Sequence, residues 1–163
     1  MLTRPEGPVV TSVCTLAALV AIRRQKLLPQ LYETVAISES NLAEAGAFLT
    51  ETPAWLLPGP DRSDVELPGR LAAESPSEAA TIRFGLGIGA SLLLLDGPVK
   101  QRAKLSFIKS VGTVSILVSA YRLGHLSAVR PMVTALEKLG HADVLPPPEQ
   151  LDALWTALEG MRE

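Results

Sequence analysis

Cysteine is almost absent. Cys14 is the single one in 163 residues, which rules out an intramolecular disulfide and any multi-cysteine zinc site, and agrees with a reducing compartment. An excess of positive charge is missing too: 15 Lys and Arg stand against 17 Asp and Glu, for a net charge of −2. No global basic field therefore advertises nucleic acid, and a local patch must supply any hold on RNA. Long hydrophobic runs are also lacking. Residues 9–22 are apolar but too short to span a bilayer, and Thr11, Ser12 and Thr15 interrupt them. Arg23, Arg24 and Lys26 follow that run and only Arg4 precedes it, the reverse of the charge order in a signal peptide. The run over 86–95 is shorter still. These absences predict a cytoplasmic protein with no membrane contact. No Gly-Lys-Ser/Thr phosphate loop and no glycine-serine-glycine nucleophile elbow occurs.

What is present is globular. Hydrophobic residues make up 47% and charged residues 20%, and the length suits one domain over 1–163 with a real core. Apolar, β-branched residues at 8–11 predict a first strand, followed by a helix over 15–24 with Leu16, Leu19 and Ile22 on one face. A short helical piece at 27–32 and a strand at 34–37 come next. Ser38 or Ser40 then caps a helix over 41–48. Prolines 53, 58, 60 and 68 punctuate 51–76, which reads as a long surface excursion holding a brief strand at 55–57 and a weak helix near 64–73. Pro76-Ser77-Glu78 opens a helix to about residue 88, with Ser77 as a cap candidate. Residues 91–95 carry four leucines and end in Asp96, the continuous apolar signature of a strand covered on both faces. A helix over 99–105, a strand over 107–111 and a helix over 113–123 come after it. Two further helices close the chain: Pro131 fits the first turn of one, and Leu151, Leu154 and Leu158 stripe the other.

Strands alternating with helices predict a three-layer α/β/α sandwich around a parallel sheet, with extra helices at the carboxyl end. Ligands in such sheets gather at the carboxyl ends of the strands. Ser12 and Asp96 each sit just after a predicted strand, so chemistry is expected there.

Three acids are the most informative. Asp96 ends the leucine strand, although Asp96-Gly97-Pro98 is also a turn signal. Glu78 suits a helix amino end on electrostatic grounds alone, and Glu44 is equally a solvated helix residue. Their interest lies in convergence, because hard cations such as Mg²⁺ want carboxylate oxygens. The Gly85-Leu86-Gly87-Ile88-Gly89 run lies before a strand and not after one, which suits close helix packing or termination and not a dinucleotide loop. Cys14 as a nucleophile would have only His125 or His141 as its base, both in Leu-Gly-His contexts at helix ends. Lys100, Arg102, Lys104 and Lys109 cluster just after Asp96, as a solvated face or as a seat for a phosphate backbone.

Several of these residues also carry a resemblance. Gly112-Thr113, then Leu123-Gly124-His125-Leu126, then Ser127-Ala128-Val129-Arg130-Pro131 resemble the carboxyl-terminal half of a PIN-like family of prokaryotic nucleic-acid-binding proteins related to VapC-type toxins. Gly89-Ala90-Ser91 with the leucine strand and Asp96 resembles that family's Gly-Ala-Asp-hydrophobic-Asp stretch. The resemblance implies a parallel sheet between helices, about four acids holding Mg²⁺ or Mn²⁺, and ribonuclease activity, including that of toxins in toxin–antitoxin pairs. It implies Glu44, Glu78 and Asp96 as catalytic metal ligands and Lys100, Arg102 and Lys104 as RNA contacts. Partners implied are RNA, an antitoxin-like protein and a second copy in a homodimer. Ser12 occupies the place of the first aspartate, and Gly97 stands where an acid commonly follows Asp96. A serine hydroxyl is a neutral, weak ligand for a hard ion, so the site is degenerate there. The expectation is either a weakened metal-dependent ribonuclease, or an inactive PIN-like protein that binds RNA or a protein partner. An unrelated small-molecule binder would need a phosphate loop after a strand, and the sequence has none.

Overall fold

The computed structural model describes residues 6–67, 75–97 and 108–160. Five strands, β1 (Val9–Thr11), β2 (Val35–Ser38), β3 (Leu56–Gly59), β4 (Leu92–Leu94) and β5 (Lys109–Val111), form one sheet in the order β3-β2-β1-β4-β5. Every pairing is parallel. Seven helices are formed by the described residues: α1 (Val13–Ala21), α2 (Leu27–Tyr32), α3 (Glu39–Ala45), α4 (Pro76–Gly87), α5 (Thr113–Arg122), α6 (Arg130–Lys138) and α7 (Pro148–Gly160). The expected α/β sandwich with a parallel sheet and added carboxyl-terminal helices is the architecture found.

Side-chain alternation in the strands sorts the core onto the two sheet faces. Val9, Leu92 and Leu94 join Leu16, Leu19, Leu28, Ile116 and Leu117 in the larger cluster. Val10, Leu93 and Leu95 face the other way, against Ile82 and Phe84 of α4. A sheet buried on both sides needs apolar residues at every strand position, which is why β4 reads as unbroken leucine.

Three local expectations shift and one choice of cap is resolved. Ser12 is the cap of α1, so that helix begins two residues earlier than its apolar stripe suggested. Ser38 caps α3, whereas Ser40 hydrogen-bonds Asp61 through its hydroxyl at 2.8 Å. Ser75, not Ser77, caps α4, and Pro76 takes the first helical turn, where its missing N–H costs nothing. Of the weak helix near 64–73, the described residues 64–67 are not helical. The brief strand in that excursion is real and lies at the sheet edge, where Pro58 and Gly59 pair with Ile37 and Ser38. The helix expected over 99–105 lies outside the described residues.

The chain starts at β1, builds outward to β3, then returns to place β4 on the other side of β1. The order therefore reverses between β1 and β4, with Val9, Val10 and Thr11 opposite Leu92, Leu93 and Leu94. The crevice beyond that reversal is where an open parallel sheet offers a ligand site.

Candidate functional site

Ser12 and Asp96 meet at this reversal. The Ser12 amide extends the pairing by donating to the Leu94 carbonyl at 2.9 Å, and the Leu95 amide donates to Val111 at 2.9 Å. Both residues are buried, Ser12 at 2% exposure and Asp96 at 8%.

A buried carboxylate needs hydrogen-bond donors. Asp96 has three. Its Oδ1 accepts the Thr113 amide at 2.9 Å. Its Oδ2 accepts the hydroxyls of Thr15 at 2.6 Å and Thr113 at 2.7 Å. Ser12 feeds the same network: its hydroxyl accepts the Thr15 amide at 3.2 Å, as an α1 cap does, and donates to Thr15 Oγ1 at 3.0 Å. A directional chain thus runs from Ser12 through Thr15 to Asp96.

Cys14 lies half-buried near the start of α1, and its thiol donates to Asp143 Oδ2 at 3.4 Å. Burial, then the charges of Asp143 and Asp96, then the Asp143 bond and Glu78, push this thiol from 9.0 to about 12. Those causes place three acids within electrostatic reach of one sulfur. They also remove Cys14 as a nucleophile, since the thiolate is the reactive form and the partner here is an acid and not a histidine. His125 is exposed and His141 half-buried at the ends of their helices.

Glu78 is half-buried in the first turn of α4, where its amide donates to the Ser75 cap at 3.2 Å. Glu44 is exposed on α3. That helix turns a different residue inward: Asn41, 1% exposed, donates to Thr81 Oγ1 at 2.9 Å and to the Ser77 carbonyl at 3.2 Å, tying α3 to α4. Among the described residues, no three His, Cys, Asp or Glu side chains gather as a metal-holding group. Lys100, Arg102 and Lys104 lie outside the described residues. Gly97 adopts φ +82°, a left-handed conformation that favours glycine over the acid the resemblance places there.

A cavity of about 880 Å³ opens beside Asp96, between α5 and the segment leading into α7. Val118, Leu145, Pro147 and Leu154 give it apolar walls, and Arg122 and Gln150 give it polar ones.

Thr15, Thr113 and Asp143 are the residues that sequence reasoning left out. Thr113 had a signal, a hydroxyl directly after a strand and Gly112. Thr15 stands three residues after Ser12, the spacing at which a capping residue meets its helix. Nothing in the sequence joins Asp143 to Cys14.

A doubly covered parallel sheet, reversed between β1 and β4 and with a carboxylate and hydroxyls in the crevice, defines an open-sheet α/β protein with its site at the strand carboxyl ends. The chain belongs to the PIN domain family, whose sequence model matches residues 8–142. No curated protein and no solved structure matches the chain. Membership places it in a superfamily of nucleic-acid-binding nucleases that generally use divalent metal ions. No helix among the described residues is long and apolar enough to cross a membrane.

The residues here do not fit such an ion well. Mg²⁺ and Mn²⁺ sites are built from hard oxygen donors, chiefly carboxylates with room for water. Ser12 offers a neutral hydroxyl already committed to Thr15, and three protein donors already sit on the Asp96 carboxylate.

Proposed function

We propose that this PIN domain binds single-stranded RNA in the cytoplasm without cutting it. The observation that supports the reading is the hydroxyl chain from Ser12 through Thr15 to Asp96, standing where a PIN nuclease presents paired carboxylates. Family membership supplies the nucleic-acid preference. The cavity beside Asp96 has the size and mixed lining of a small-molecule or nucleotide pocket. In this reading Arg122 takes a phosphate and the apolar wall of Val118 and Leu154 meets a base, and Lys100, Arg102 and Lys104 are the further RNA contacts that the family resemblance implies.

Fluorescence anisotropy of a labelled RNA pool in chelator and in Mg²⁺ tests it, alongside a denaturing gel after incubation in Mn²⁺. Equal affinity in both buffers and intact RNA are expected, with Arg122→Glu weakening binding about tenfold, the scale of one lost charge-assisted contact.

A second reading is a metal-dependent endoribonuclease, the toxin of a toxin–antitoxin pair, acting as a homodimer restrained by a small antitoxin-like protein. One observation favours it: Asp96 and Glu78 both act on Cys14, so two of the three expected ligands share a neighbourhood. In that reading Asp96, Glu78 and Glu44 hold Mg²⁺ or Mn²⁺. RNA cleavage by the natural protein that vanishes in Asp96→Asn and on chelation would establish this reading over the first. Silence in the natural protein with cleavage in Ser12→Asp would show an activity lost at one position.

A further inference from the structure

We infer that Asp96 is a positioning residue and not a metal ligand: with the hydroxyls of Thr15 and Thr113 and the Thr113 amide, it ties the elements at the carboxyl-end crevice together without a divalent ion. Helix α5 shows the need for it. Its cap residue, Gly112, has no side chain to offer, so the first turn would leave its amides unsatisfied. Asp96 reaches across from the end of β4 and takes the first of them, Thr113 N–H, at 2.9 Å. A carboxylate at that end is also favoured by the helix dipole. The Thr113 hydroxyl adds a second bond at 2.7 Å from the same residue, so α5 is gripped twice at its start.

The other hydroxyl on the carboxylate comes from α1. Thr15 donates at 2.6 Å and is itself oriented by Ser12, which spends its own proton on Thr15. Chains of this kind strengthen one another in a low-dielectric interior. The amino ends of two helices are thereby fastened to the end of one strand, across the point where the sheet order reverses.

Ser12 makes this arrangement self-sufficient. Were it an aspartate, a second carboxylate would lie in the same buried pocket, and two like charges there cannot both ionise comfortably without a cation between them. A serine removes that charge. One carboxylate remains, and the two threonines with a helix end are placed to hold it. The crevice is held in this way whether or not RNA binds.

Two measurements test it on the full chain. Titration of Mn²⁺ followed by electron paramagnetic resonance is expected to leave the free-ion signal undiminished by the natural protein. Thermal unfolding is expected to give one Tm in chelator and in millimolar Mn²⁺. Thr15→Val and Thr113→Val should each lower Tm by roughly 3–10 °C in both buffers, as lost bonds to a buried charge do in a chain of this size, while Thr113→Ser keeps most of it. Ser12→Asp should fall in chelator and recover in Mn²⁺. A stoichiometric loss of the Mn²⁺ signal, or a Tm of the natural protein that climbs with Mn²⁺, overturns the inference. So does a Tm indifferent to both threonine variants. If those variants fail to fold, the titration of the natural chain decides. Neither measurement reads RNA, so failure here is distinct from failure of the binding proposal.

Discussion

Cys14 shows how much a single side chain owes to neighbours far away in sequence. Its spacing within α1 is legible from the sequence, but Asp143 lies 129 residues on. Burial first and that acid second hold the thiol neutral, pushed up to about 12. A raised folded-state value means the folded chain keeps a proton that the unfolded chain releases. This group's stabilising share is thus complete below pH 9 and is lost as pH rises from about 9 toward 12. At pH 8 alkylation of Cys14 in the folded protein should run roughly a thousandfold slower than that of a free thiol, in line with its smaller thiolate fraction. Asp143→Asn should speed it. A folded protein labelled as fast as the denatured chain would contradict both the burial and the pairing. Ser12 finds its side-chain partner close by, three residues on at Thr15. The family resemblance places an aspartate at its position, and its role in the fold is to cap α1 and orient Thr15.

Among the elements, α4 and β4 were the most legible. Four leucines predict a strand covered on both faces, and Leu92, Leu93, Leu94 and Leu95 are all essentially inaccessible. The glycine run before them reads as close packing or termination, and both occur. A methyl group on Gly85 would stand 2.5 Å from Leu93 Cδ2, and Gly89 ends the segment at φ +67°. Because Leu93 is fully buried and has nowhere to retreat, Gly85→Ala should destabilise the protein by about 1–3 kcal/mol, measurable by urea unfolding. No change in the midpoint would mean that α4 can slide on the sheet. Gly87 meets a polar partner instead: Arg62 packs over it and donates Nη1 to its carbonyl at 2.9 Å. The proline-rich excursion is therefore docked on α4 at that point, a contact its composition gave no reason to expect. Cap residues were harder to choose: Ser38 and Ser40 compete in sequence, and Ser75 caps α4 in place of the expected Ser77. Ser38 and Ser75 each hold the extended backbone of a helix cap.

For the whole molecule, the notable division is between the family-matched residues 8–142 and the carboxyl-terminal segment beyond them. Helix α7 lies outside that match, yet Leu158 is buried, Leu151, Leu154 and Trp155 pack on the core, and the Arg130 guanidinium sits 5.3 Å from the Trp155 ring centre. The segment before it walls the cavity beside Asp96 and supplies Asp143. Removing residues 148–160 should cost about 4 kcal/mol, from one fully and three partly buried apolar side chains, and lower Tm by roughly 10 °C in calorimetry. It should also weaken RNA binding, since one wall of the cavity goes with it. An unchanged Tm would make the helix an appendage.

The sequence by itself determined the alternation of strands and helices, the burial of β4 and the packing glycines. Each is written locally, in periodicity, residue size and charge within a few positions. Only the tertiary structure decided what Asp96 does. Thr15 is 81 residues before it and Thr113 is 17 after, and the sheet order β3-β2-β1-β4-β5 is what brings both hydroxyls to one carboxylate. The same geometry leaves Glu44 on an exposed helix face and turns Asn41 inward instead. A carboxylate looks alike in sequence whether it awaits a cation or already holds its donors. The difference lies in which atoms the fold brings within hydrogen-bonding distance.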